Sequence, residues 1–147
     1  MSVRWSQLVF TPDENAIDHL TESWGWLIAQ DYTPLLFSIL GDLFYQPVTG
    51  GVHWLNCGLG EITRVAASPE EFRELLGTEK AADWFLPKLI EQLYAAGKIP
   101  QLGECYSFVI LPIFREGKYE VDNLQPVPAA QSYVLSGQIH RQIAGAV

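Results

Sequence analysis

Five side chains in this chain are candidates for nucleophilic or metal chemistry: His53, Cys57, Cys105, Asp122 and His140. Cys57 or Cys105 could act as a thiol nucleophile, with His140 as its base and Asp122 orienting the imidazole. Two thiols and two imidazoles (His53, Cys57, Cys105, His140) could instead hold zinc. His53 and Cys57 alternate onto the same face of a strand, which permits the second arrangement. The surrounding sequence supports neither. No cysteine sits in a nucleophile motif, and Cys105 and His140 lack the tight spacing of a zinc pair. We therefore assign no catalytic residue, no metal and no cofactor. Both thiols are expected in the sheet core, and His53 at a sheet edge. Gly50-Gly51 and Gly58-Leu59-Gly60 lack the strand, loop and Lys-bearing helix of a phosphate cradle and read as turns.

The elements that would position these groups belong to one domain. The 147 residues are 48% apolar and 18% charged, enough for a sizeable core and too few charges for a disordered chain. No apolar run reaches the ~20 residues a membrane span needs. Met1 to Phe10 has no signal-peptide pattern, which favours the cytoplasm. Net charge is −8. Between Trp5 and Thr63 there is no Lys or Arg, while Asp13, Glu14, Asp18, Glu22, Asp31, Asp42 and Glu61 all fall there. Such a run is either a solvated face or a surface that steers a basic partner. It argues against direct nucleic-acid binding, which needs clustered cations.

Met1 to Phe10 reads as a short strand or extended arm. Thr11 as cap, Pro12 at the first position and two acids predict a helix to about Gln30, with Ile17, Leu20, Trp24, Leu27 and Ile28 inward. Trp26 falls off that stripe, beside Glu22. It is either covered by another element or left for a partner. Pro34 should break the helix. Strands are expected over Ser38–Gln46, Val52–Cys57 and Glu61–Val65, joined by glycine turns. Ser68-Pro69-Glu70-Glu71 opens a short helix as a capping box, ended by Gly77. A turn of helix to Phe85 and a restart at Pro87 follow, closed by Gly97. Glu104–Phe114 and Tyr119–Val127 should form a hairpin about Arg115-Glu116-Gly117-Lys118, and Ala129–Ala144 a terminal helix weakened by Gly137.

Several segments together resemble a known family. They are Gly41-Asp42-Leu43-Phe44, Gly51-Val52-His53-Trp54-Leu55-Asn56, Gly60-Glu61, Ser68-Pro69-Glu70-Glu71-Phe72 and Trp84-Phe85-Leu86-Pro87. Gly103-Glu104-Cys105-Tyr106-Ser107-Phe108, Tyr119-Glu120-Val121-Asp122-Asn123 and Gly137-Gln138-Ile139-His140-Arg141-Gln142 follow. In this order they resemble the DUF1851 domain, the C-terminal part of Tdi1-type immunity proteins of the type VI secretion system. The resemblance spans residues 38–145. Residues 1–37, an arm and a helix, stand where longer relatives carry a GAD-like module. It implies a protein that binds and neutralises a cognate toxin, often a nuclease. Trp54, Cys105, Asp122, His140 and Arg141 are its structural motif positions. We expect Arg141 to pair with Asp122 or Glu120 and His140 to hydrogen-bond within the fold.

The expected architecture is a single α+β domain, residues 1–147, with an antiparallel sheet of about five strands covered mainly on one face by helices. The expected function is stoichiometric binding of a cytoplasm-acting toxin with a basic surface. The contact residues would be Asp13, Asp18, Glu22 and Trp26. The alternative is a non-catalytic adaptor for another cellular protein.

Overall fold

The computed structural model describes residues 3–29 and 31–145. A helical turn, α1 (Trp5–Leu8), leads into a two-residue strand, β1 (Val9–Phe10), and helix α2 (Glu14–Trp24). Four further strands follow as a meander: β2 (Tyr32–Ser38), β3 (Leu43–Pro47), β4 (Val52–Asn56) and β5 (Glu61–Ala66). With β1 they form one antiparallel sheet in sequence order. Helices α3 (Pro69–Leu75), α4 (Lys80–Phe85) and α5 (Pro87–Ala95) come next. A hairpin of β6 (Glu104–Phe108) and β7 (Leu124–Pro128) makes a second, two-stranded sheet, and α6 (Ala129–Gly145) closes the described chain.

Local chemistry accounts for the helix boundaries. Asp13, not Thr11, caps α2: its carboxylate accepts from Ala16 N at 2.8 Å, leaving Thr11-Pro12 outside the helix. The helix ends at Trp24 instead of running to Gln30, which lies outside the described residues; Gly25 and the bulky Trp26 follow as turns. Ser68 caps α3 by accepting from Glu71 N at 3.1 Å, with Pro69 at the first position. Between α4 and α5, Leu86 adopts a left-handed conformation (φ 48°) ahead of Pro87. That break costs about 1 kcal/mol or more.

The strand expectations need four corrections. Pro34, expected as a helix break, lies ten residues beyond the end of α2 and sits inside β2, beside an irregularity between Pro34 and Leu36. Its neighbour β1 pairs only with Phe37 and Ser38, so the missing N–H interrupts no ladder there. Residues 39–42 form a turn inside the predicted Ser38–Gln46 strand. His53 is not at an edge: β4 lies between β3 and β5, with His53 opposite Tyr45 and Arg64. The later hairpin is also shorter than predicted, because residues 109–120 form a loop.

Helices stand on both faces of the large sheet. Leu43, Tyr45 and Leu55 pack with Ala16, Leu20 and Trp24 of α2 and with Tyr133 of α6. The alternating residues Phe44 and Trp54 pack with Phe72 of α3 and Trp84 and Phe85 of α4. A third cluster joins Ile39 and Leu40 to α5 and to Tyr106 and Leu124 of the hairpin. The hairpin is tied to the β2–β3 turn by Tyr106 N donating to Ile39 O at 2.7 Å.

Candidate functional site

Two linked features stand at the end of the large sheet where β2–β3 and β4–β5 turn. The first is a braced turn. Asp42, buried, accepts from Cys57 N at 3.0 Å and from Trp54 Nε1 at 3.1 Å. From the opposite side, His140 of α6 donates through Nε2 to Cys57 O at 3.0 Å and Gly58 O at 3.1 Å. Cys57 therefore has its N–H held by one buried side chain and its carbonyl by another. The imidazole rests on Trp24, with ring centroids 5.5 Å apart. It also occupies the space a side chain at Gly60 would need. Two carbonyl acceptors require the proton on Nε2. Burial lowers the imidazole pKa, and the Gly58 and Cys57 bonds oppose that.

The close approach that places His140 depends on Gly137, one turn earlier. A Cβ there would lie 2.6 Å from Ser23 O of α2. The glycine that weakens α6 by propensity is what lets the two helices touch.

The second feature is a cavity of about 380 Å³ on the α3–α4 side of the sheet. Leu40, Asp42 and Trp84 are its buried lining, and Trp54, Asn56, Phe108, Tyr119 and Asp83 its more exposed one. Trp54 stacks on Phe44 at 5.9 Å and 9°. Tyr119 stands edge-on to Phe108 at 5.4 Å, carried by the 109–120 loop. Asn123 braces that loop: Oδ1 accepts from Ile110 N at 2.9 Å, and Nδ2 donates to Ile110 O at 2.9 Å and Lys118 O at 2.8 Å.

Burial pushes the Asp42 carboxyl up to about 7, against the pull of the Cys57 and Trp54 N–H donors. Burial also raises both thiols: Cys57 well above its usual value, Cys105 to about 12. Asp42 adds to each, and a bond with Ser132 opposes the rise at Cys105. Both cysteines are free and buried, and their neutral form makes poor nucleophiles. Among the described residues, no three His, Cys, Asp or Glu side chains converge as a metal would require. His53 packs edge-on to Tyr45 at 5.6 Å, and Nε2 of His140 is engaged with carbonyls.

The remaining sequence-selected residues are dispersed. Asp13, Asp18 and Glu22 are exposed along α2, on the sheet face opposite the cavity. Trp26 is half-buried, stacked on Trp24 at 5.8 Å, with its indole N–H buried and without a hydrogen-bond partner. Asp122 lies in a 3-10 turn, Val121–Asn123, and is exposed. Arg141 is exposed on α6; among the described residues no ion pair joins it to Asp122 or Glu120. Sequence reasoning placed Asp42 among seven acids and in the Gly41-Asp42-Leu43-Phe44 segment, and gave it no site role. Its signal was position: it is the one charge between Leu35 and Tyr45, an otherwise apolar run. Nothing local pointed to Asp83 or Tyr119 as its companions.

The fold and these features define an α+β domain with a doubly braced turn beside an aromatic cavity. The family model described as T6SS immunity protein Tdi1, C-terminal, matches residues 66–140, and the chain belongs to that family. The match starts at Ala66, so the meander before it, with Asp42 and Trp54, lies outside the matched region. Among solved structures, the crystal structure of Atu4351 from Agrobacterium tumefaciens is similar with a TM-score of 0.57 and 18% identity. The similarity covers 91% of this chain and 68% of that one, and it extends to the fold. No curated protein sequence matches the chain. No helix among the described residues is long and apolar enough to cross a membrane.

Proposed function

We propose that this chain is an immunity protein that binds one cognate secreted toxin and neutralises it stoichiometrically, catalysing no reaction. The observation that carries this is family membership over residues 66–140. On this reading the toxin is a type VI effector acting in the cytoplasm, where the immunity protein also resides, and its activity is that of a nuclease. A nuclease must present a basic surface to the phosphate backbone. The acids exposed on α2, in a stretch free of Lys and Arg from Trp5 to Thr63, complement such a surface. Asp13, Asp18 and Glu22 are the proposed steering contacts, with Trp26 beside them.

The test is co-purification with the product of the adjacent gene, and co-expression in cells that make it. A one-to-one complex and restored growth support the proposal. A stable complex with some other cellular protein, with no rescue, would replace it with the adaptor reading.

A further inference from the structure

The aromatic cavity beside the braced turn has no part in the steering role given to α2. It lies on the other face of the sheet, and it combines three features that bear on one ligand chemistry. Asp42 is 5% exposed, lines the cavity, and accepts one N–H on each oxygen, yet no cationic side chain pairs with it among the described residues. A buried carboxylate without a counter-ion is costly, and each oxygen keeps a free lone pair. The walls are aromatic: Trp54, Trp84, Phe108 and Tyr119. Trp54 is held in place by its bond to Asp42 and its stack on Phe44, and Trp84 packs on Phe44 and Phe72 at 5.4 and 5.7 Å. A second carboxylate, Asp83, is exposed beside Trp84.

We propose that this cavity is a receptor for a guanidinium group: an arginine side chain of the toxin, seated among Trp54, Trp84 and Tyr119 with Asp42 and Asp83 as its counter-charges. Aromatic faces attract cations, most strongly where water is excluded. Guanidinium suits the cavity better than ammonium because it is planar, stacks on rings, is weakly hydrated and meets a carboxylate through two parallel N–H donors. The volume of about 380 Å³ admits the whole side chain. The lining joins residues before Ala66 to residues from the matched family region, so the receptor exists only when the meander and the helical part are assembled together. That the arginine belongs to a toxin rests on the immunity proposal; the guanidinium chemistry does not.

The intact protein, labelled with nitrogen-15, is titrated with N-acetyl-arginine amide and, separately, with N-acetyl-citrulline amide, its neutral isostere. The Trp54 indole N–H, assigned through Trp54→Phe, is followed by NMR. A saturable shift is expected with arginine and none with citrulline, and Asp83→Asn should weaken the arginine response several-fold. Equal responses to the two probes, or no saturable response to arginine, would overturn the proposal. With the toxin in hand, Asp83→Asn and Tyr119→Ala should speed dissociation about tenfold while leaving association nearly unchanged. Both residues are exposed, so the variants should fold. If the toxin binds and these variants leave its dissociation unaltered, the cavity is not the receptor although the immunity proposal stands. If no toxin binds, the arginine titration still decides the cavity.

Discussion

Replacing Gly137 by alanine sets two physical effects against each other. Gly137 lies inside α6, away from the left-handed region, so intrinsic helix propensity alone favours alanine by about 1 kcal/mol. The added Cβ would lie 2.6 Å from Ser23 O and 2.9 Å from Ser23 Cβ, about 0.8 and 0.5 Å short of the 3.4 Å at which ordinary contact begins. The closer obstacle is α2 backbone, which cannot swing aside as a flexible side chain would. The helices must part, and His140, one turn further along, would be drawn from Trp24 and from the carbonyls of Cys57 and Gly58. Overpacking of this kind costs about 1–3 kcal/mol before any weakening of the brace, so sterics should outweigh propensity. A net loss of about 1–2 kcal/mol should lower the melting temperature by roughly 2–8 °C in a chain of this size. Urea titration followed by tryptophan fluorescence, with calorimetry alongside, measures both. A variant with unchanged m-value and a higher midpoint would refute the close-contact reasoning.

Gly60→Ala should cost about 2 kcal/mol or more, since φ of +70° disfavours any Cβ and His140 fills the space; chemical denaturation reads it, and a neutral result would remove His140 from the turn. Asp42 should make the fold less stable as pH rises. Its folded value of about 7 exceeds the ordinary 3.8, so its contribution is full below pH ~4 and declines by up to about 4 kcal/mol through pH 7. The nearby Cys57, Cys105, Tyr119 and Tyr133 are all raised and stay neutral over that range. His140 acts in the opposite sense, its contribution declining as pH falls below 6.5. Asp42→Asn should remove the loss toward pH 7 and leave the His140 limb; a variant with the parent's full profile would count against the Asp42 assignment. Cys57 and Cys105 should react with a thiol reagent only on unfolding, and fast modification of the native protein would contradict their burial. Reversing Asp18 and Glu22 to lysine should slow toxin association about three- to tenfold at low salt, with the difference shrinking as salt rises; unchanged association would take α2 out of the interface.

The fold was legible wherever one residue decides the local backbone. Ser68-Pro69 started α3, Pro87 started α5, and the glycine turns ended β3 and β4 where their residue types required. The helix period of α2 put Leu20, Trp24 and Ile28 inside, but its end could not be read, because Trp26 leaves the helix to pack on Trp24. Pro34 read only as a helix breaker, and β2 accommodates it because the partner on that side is only two residues long. The 109–120 loop hid inside a strand pattern, since the Asn123 clamp that shapes it acts across thirteen residues. The site was legible only in part. His140 drew attention as a polar residue in a terminal helix, but its partners Cys57 and Gly58 are far away in sequence. The cavity joins the β2–β3 turn, β4, α4 and the hairpin loop, and no local pattern places Asp42 against Asp83 or Tyr119.

The central claim is that the protein acts by occupying a toxin rather than by turning it over. Titrating the purified toxin with this protein, at toxin concentrations well above the dissociation constant, tests that most directly. Toxin activity should fall linearly and vanish at one equivalent, with no further loss on longer incubation. Progressive inactivation by far less than one equivalent, or full toxin activity beyond one equivalent, would contradict the account.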